Sequence, residues 1–325
     1  MSTSEASHPT FARRRPVQRV PESFALIIFL IVEVVFFALK SPYFLGWDNS
    51  LNILTAISVI GIVAAPGTLL MTAGQFDLSV GSVTAFTSVV LAYMALSYGF
   101  GLSVLVAVVA GLSVGIINGL LVTVVGVNAL ITTLGTLAAF RGLAEVVADG
   151  QTVGIDGFES LGTARPFWNI PVPVMVFLAV LIAVWGLMRF TVYGRAMYAI
   201  GSNPSAARLV GIRSGRFIFI GFVSSAAACA LSGLILSSQL SVGSPVFGTG
   251  MELSVITAIV LGGASLGGGK GSIVGTAVGL LIIGILNNGL TLTGVDPFWQ
   301  NVARGALLIA AVSLDRLRER FGSSR

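Results

Sequence analysis

The sequence predicts an all-α, polytopic membrane protein. Apolar residues make up 55% of its 325 positions, and Asp, Glu, Lys and Arg only 10%. The apolar residues also gather into runs of membrane-spanning length. A soluble globular domain carries about a quarter of its residues as charged ones. So few charges cannot cover a surface that faces water, and a mean hydropathy of +0.97 means that most of the exterior meets lipid. The 40 glycines suit this class, because close backbone approach helps helices associate where lipid supplies no hydrophobic drive.

About ten runs approach the roughly 20 apolar residues that a membrane helix needs. They are Phe24–Leu39, Leu51–Thr72, Ser79–Ser97, Leu102–Val125, Ala129–Val147, Val172–Arg189, Phe217–Ser238, Leu253–Leu266, Ile273–Leu290 and Val302–Leu314. The first follows Arg13, Arg14, Arg15 and Arg19 and ends at Lys40-Ser41-Pro42-Tyr43. No small-residue cleavage site follows it, so it reads as an uncleaved helix and not a signal peptide. The shorter runs lie beside Gly-rich stretches and are expected to be broken or re-entrant. Such backbone is tolerated only where protein or a water-filled cavity covers it. One transmembrane domain is expected over 23–314, between tails at 1–22 and 315–325, with a polar loop at 190–216.

The charges orient the chain. Basic residues cluster on cytoplasmic flanks of membrane helices. Here they gather in the N-terminal tail, in the loop holding Arg189, Arg195, Arg208, Arg213 and Arg216, and in the tail holding Arg316, Arg318 and Arg320. Six runs separate the first cluster from the second and four the second from the third. Both counts are even, so all three fall on one side, with both termini cytoplasmic. The stretch Asp149–Pro171 then faces outward, with Trp168 as an interface anchor and Arg165 its exceptional positive charge. The net charge of +5 reflects this asymmetry and does not predict a nucleic-acid partner. The only Cys is Cys229 and the only His is His8. That excludes an intrachain disulfide and leaves histidine catalysis no candidate, so no catalytic residue and no metal ligand is predicted.

The order of short motifs repeats. Asp77-Leu78-Ser79-Val80 recurs as Glu252-Leu253-Ser254-Val255, and Asn118-Gly119-Leu120 as Asn288-Gly289-Leu290. Gly126-Val127 recurs as Gly294-Val295, and Arg141-Gly142 as Arg304-Gly305. The topology starts the first Leu-Ser-Val from the cytoplasmic side and the second from the outer side. An inverted repeat of about five plus five helices is therefore expected, as in many transporters.

Three segments resemble one family. Thr72-Ala73-Gly74-Gln75-Phe76-Asp77-Leu78-Ser79-Val80-Gly81 is similar to the Gly-Gly-Ile-Asp-Leu-Ser-Val-Gly signature of ribose-type ABC importer permeases, with Gln75-Phe76 in place of Gly-Ile. Thr191–Arg195, Ala199–Asn203 and Ala206–Ile212 resemble that family's main cytoplasmic loop. Leu261–Ser272, with Gly262, Gly263, Gly267, Gly268, Gly269 and Gly271, resembles its Gly-rich late motif. The resemblance implies a monosaccharide permease in the bacterial inner membrane. It also implies a second permease subunit (the same chain or a paralogue), a cytoplasmic ATPase with two nucleotide-binding domains, and a periplasmic sugar-binding protein. This chain itself would bind no cofactor, since ATP is used by the partner.

Individual residues then acquire alternative roles. Asn203-Pro204-Ser205-Ala206-Ala207-Arg208-Leu209 reads as a short helix, with Asn203 as N-cap, Pro204 preorganised for the first turn and Gly211 ending it in a left-handed cap. It would present Ala206, Ala207, Leu209 and Val210 to a groove of the ATPase; the bland alternative is a solvated turn with positive-inside arginines. Asp77 is expected to cap the helix starting at Ser79, against direct sugar contact or proton coupling, and Glu252 to cap the later helix. Asp77, Ser79, Gly81, Asn118, Glu252 and Asn288 are the candidates for the translocation path. Arg141 and Glu145, four apart on one helix face, are expected to pair. Arg304 faces a cavity or an interface, and the amides of Asn287 and Gln239 join helices or line a path. Around Gly269-Lys270 the phosphate-loop pattern fails, because Ala264 holds the first Gly position and Gly271 follows the Lys. A tight glycine-packed turn is expected there, so hydrolysis belongs to another chain. The competing reading is an ion-coupled secondary transporter, with Asp77 and Glu252 as its only plausible ion site. A membrane enzyme ranks last.

Overall fold

The computed structural model describes residues 22–323, with the side chains of residues 26–310, 312 and 313. The cluster Arg13–Arg19 and the side chains of Arg316, Arg318 and Arg320 lie outside that description.

Each apolar run falls on a helix. The order is α1 (Glu22–Lys40), α2 (Trp47–Thr72), α3 (Val80–Ala95), α4 (Phe100–Leu120), α5 (Ala129–Val147), α6 (Ser160–Thr163), α7 (Val172–Phe190), α8 (Val192–Ser202), α9 (Pro204–Leu209), α10 (Ser214–Leu240), α11 (Met251–Leu261), α12 (Ile273–Leu292) and α13 (Pro297–Ser323). Among the described residues six segments are long and apolar enough to cross a membrane: α2, α4 with its π-helical extension Leu121–Val125, α5, α7, α10 and α12.

Helices α3 and α11 are too short to cross alone. They have 16 and 11 residues, or about 24 and 17 Å, against a hydrocarbon core of about 30 Å. Non-helical backbone precedes each, at 73–79 and 244–250. The two half-helices start side by side, and a methyl group on Gly81 would overlap the Gly248 carbonyl. Their N-termini therefore converge inside the protein, where broken backbone is shielded from lipid.

Two runs differ most from their helices. The run Leu253–Leu266 overshoots, since α11 stops at Leu261. Gly263, Gly268 and Gly269 then take φ of +90°, +82° and +75°, a conformation that glycine alone adopts without penalty. The run Val302–Leu314 undershoots, because α13 extends from Pro297 to Ser323. Hydropathy marks only the lipid-facing depth, and a helix can continue into charged sequence beyond it.

The core centres on α2, α3, α10 and α11. Ile62, Val63, Ala64 and Ala65 of α2 are consecutive and fully buried, as for a helix surrounded on all sides. Val109 of α4, Ile131 of α5 and Ile182 of α7 instead expose apolar side chains outward. At one end, β1 (Val153–Gly154) pairs antiparallel with β2 (Val242–Gly243), in register Val153 with Gly243. This ties the α5–α6 connection to the end of α10. At the other end lie α8, α9 and the turn 262–272. Leu26 and Ile27 of α1 share a cavity with Gly262 and Gly271, so α1 starts at this same end.

Candidate functional site

Three polar assemblies stand out. The first surrounds Asp77, before α3. Its Oδ1 accepts from the Ser79 backbone N–H (3.0 Å) and from Ser79 Oγ (2.6 Å). Its Oδ2 accepts from Ser225 Oγ of α10 (2.7 Å). Asn118 of α4 donates to Ser79 Oγ at 3.0 Å. Ser79, Asn118 and Ser225 are fully buried. A carboxylate away from water is costly unless its lone pairs are satisfied. Here three donors and the positive end of α3 supply that compensation. The cluster locks the broken segment to α4 and α10.

The second assembly is a cavity of about 610 Å³ at the β1/β2 end. Asn52 and Thr55 of α2, Gln239 of α10, Ser254 of α11, Arg304 of α13 and Arg165 line it. Thr55 Oγ1 donates to the Leu51 carbonyl (2.7 Å) and Ser254 Oγ to the Gly250 carbonyl (3.3 Å), so each hydroxyl proton is already engaged and only acceptor capacity is left. Arg304 Nε is buried with no partner among the described residues. Among the described residues the lining carries two guanidinium groups and no carboxylate.

The third assembly is α8–α9. Asn203 Oδ1 accepts from the N–H groups of Ser205 (3.1 Å) and Ala206 (2.9 Å). Pro204 opens α9, and Gly211 follows it with φ of +84°. Leu209 and Val210 are 88% and 76% exposed. Ala207 differs from expectation: it is buried in the same apolar cluster as Met188, Met197 and Ile218, so α9 offers Ser205, Ala206, Leu209 and Val210 outward instead. Beneath it, three backbones meet. Gly269 N–H donates to the Thr72 carbonyl (2.8 Å), and Tyr198 Oη donates to the Gly271 carbonyl (2.5 Å). A methyl on Gly201 would overlap the Thr72 carbonyl, and one on Gly268 would press on Gly74. The glycines of the late motif thus join α8 to the end of α2. Burial pushes the Tyr193 and Tyr198 phenols above the usual tyrosine range, which keeps both as donors.

The structure separates the path candidates. Asp77, Ser79 and Asn118 come together, and Gly81 lies nearby against Gly248. Asn288 does not join them: it exchanges two hydrogen bonds with Asn49, at 2.8 and 3.0 Å, and clamps α12 to the start of α2. Glu252 does not cap α11, whose N-cap position is Gly250 with φ of +75° and no side-chain bond. The Asp77 arrangement is not reproduced there, because Glu252 already lies inside the first turn. Arg141 donates to the carbonyls of Pro245 and Phe247 (2.7 Å to the latter). It therefore holds the broken segment before α11 and makes no bond to Glu145. Sequence reasoning missed Asn52 and Thr55, whose spacing with Ala56 along α2 was the available signal. It also missed Glu33 of α1, a buried carboxyl with both oxygens unpartnered among the described residues.

Comparison with known proteins identifies the group. A family model described as branched-chain amino acid transport system / permease component matches residues 49–312. The chain is 40% identical over 295 residues to the ribose import permease of Bacillus subtilis strain 168, spanning 88% of this chain and 90% of that protein. It is 37% identical over 303 residues to the ribose import permease of Escherichia coli K12, spanning 90% and 93%. It is 38% identical over 305 residues to the L-arabinose transport system permease of the same strain, spanning 93% of each. No solved structure matches. The chain belongs to this permease family, in its ribose-type monosaccharide group of ATP-binding-cassette importers.

Proposed function

We propose that this chain forms the membrane path of an ATP-driven importer for a monosaccharide or related polyol in the bacterial inner membrane. The observation that carries this is the pairing of a polar cavity at one end with an exposed, capped helix at the other. Importers of this family work with an ATPase and a periplasmic binding protein. The binding protein would deliver solute to the cavity at the β1/β2 end. Exposed Leu209 and Val210 on α9 fit an apolar groove of a cytoplasmic ATPase with two nucleotide-binding domains. Closure of that ATPase would push α9, and the glycine joint under it would carry the push to α2 and α11.

The family description also covers amino-acid permeases. The cavity favours a sugar, because its lining has, among the described residues, no carboxylate to receive an α-ammonium group. The same absence disfavours a coupling cation, and Asp77, wholly engaged by hydroxyl and N–H donors, makes a poor ion site. A second permease subunit, identical or paralogous, would complete the path. Gly135 and Gly142 of α5 and Gly305 of α13 have no atom of the described residues within 4 Å of where a side chain would start, which suits close packing by that second copy. The deciding experiment is uptake into proteoliposomes holding the permease and its ATPase, with the binding protein added outside. Labelled monosaccharide accumulates only with ATP, and Leu209→Glu abolishes accumulation by blocking assembly with the ATPase. Accumulation driven by an ion gradient without ATP contradicts the reading.

A further inference from the structure

We propose that the permease itself carries a recognition subsite for a vicinal hydroxyl pair, formed by Arg304 with Gln239 and Asn52 in the cavity between α2, α10, α11 and α13. This deepens the transport reading and rests on it. Family resemblance alone would place all selectivity in the binding protein.

The chemistry of the lining selects the ligand. Arg304 presents a planar fork of donors, which matches paired oxygen acceptors. Its Nε–H is buried without an acceptor among the described residues. Neither Gln239 nor Asn52 makes a side-chain hydrogen bond to the described residues, although both line the same space. Their amides offer donor and acceptor together. Thr55 and Ser254 line the same space and have already given their hydroxyl protons to backbone carbonyls, which leaves them acceptor capacity alone. A cation finds no carboxylate here. An anion would satisfy the guanidinium groups but brings no proton for the amide and hydroxyl acceptors. A neutral polyol satisfies both sets, since each hydroxyl donates and accepts. The contributing helices differ in kind: α11 is a half-helix that begins inside the protein, whereas α2, α10 and α13 are long. A ligand bridging Arg304 and Gln239 would join α13 to α10 beside that half-helix.

The test uses the full chain with one reporter thiol. Thr249 lines the cavity and is exposed, and its own hydroxyl bonds only within its turn. The native Cys229 is fully buried. In Thr249→Cys, D-ribose and L-arabinose should slow alkylation by a membrane-impermeant maleimide, 2-deoxy-D-ribose should do so more weakly, and sulfate should not. Arg304→Met should raise the half-protecting ribose concentration about tenfold or more, the usual consequence of losing a hydrogen bond to a charged donor. It should also erase the difference between ribose and its deoxy analogue. Arg304→Lys should fall between, because an ammonium keeps charge and loses the fork. Gln239→Ala provides a second, uncharged variant and should weaken protection a few-fold. Unchanged protection in Arg304→Met and Gln239→Ala would overturn the subsite, as would sulfate protecting as well as ribose. ATP-driven ribose uptake by the Thr249→Cys complex without any ribose protection would sink the subsite and leave the transport reading standing. Absence of uptake for any monosaccharide would sink the transport reading itself.

Discussion

The Asp77 cluster and the Arg304 cavity are both polar groups set within an apolar protein, yet they are built on opposite plans. Around Asp77 each carboxylate oxygen has a donor, and Ser79, Asn118 and Ser225 are sealed from solvent, with Asn118 Oδ1 the one atom of the cluster left without a partner among the described residues. Around Arg304 the guanidinium and the amides of Gln239 and Asn52 line one cavity and make no hydrogen bond to the described residues, and the guanidinium Nε is buried as well. Satisfied groups hold a fold together, because removing one strands the others. Unsatisfied groups that face a cavity stand ready for a ligand. The residue that looks most functional in the sequence, an acid between two apolar runs, is on this view a structural one.

Stability measurements can break that contrast. Asp77→Ala strands the N–H and hydroxyl of Ser79 and the hydroxyl of Ser225, and should cost about 3 kcal/mol. A thermal-unfolding scan in detergent should show a large drop in midpoint, with Asp77→Asn falling between because one carbonyl acceptor survives. Gly201→Ala forces a methyl into the Thr72 carbonyl and the Gly269 nitrogen, both backbone atoms that cannot rotate away. About 2 kcal/mol is expected by analogy with overpacking elsewhere. Sugar moved per ATP hydrolysed should fall with it, while the ATPase still co-purifies. Asn203→Ala removes the cap of α9 and should cost about 1 kcal/mol, read as a several-fold weaker affinity for the ATPase. Arg304→Met should be the mildest of all for folding, within about 0.5 kcal/mol as for a change that breaks no internal bond, yet it should cut uptake severely. If Arg304→Met unfolds the protein as readily as Asp77→Ala does, the contrast is lost.

Much of the fold was legible because lipid imposes a simple rule on helices. Ala129–Val147 is bounded in the sequence as it is in space, since Asn128 caps one end and charge or turn residues mark the other. Helix α9 was equally readable: Asn203, Pro204 and Gly211 each carry a local geometric meaning. What escaped was decided by tertiary packing. The Leu-Ser-Val echo marks the starts of α3 and α11, yet Asp77 precedes its helix and Glu252 lies within its own, so one acid binds Ser79 while the other caps nothing. Ala207 turned inward because α9 packs against α8 and α10 and joins an apolar cluster set by the fold of the loop. Arg141 left its neighbour Glu145 for two carbonyls about a hundred residues away. Local spacing can propose a partner, but a buried backbone acceptor elsewhere can outcompete it.

The account depends most on α9 being the handle by which a separate ATPase drives solute across. The direct measurement is ATP-dependent monosaccharide uptake in reconstituted vesicles, with the native chain compared against Leu209→Glu. Concentrative uptake in the native complex and none in the variant, with both chains equally folded, is the predicted result. Uptake that persists in Leu209→Glu, or that proceeds on an ion gradient alone, would contradict it.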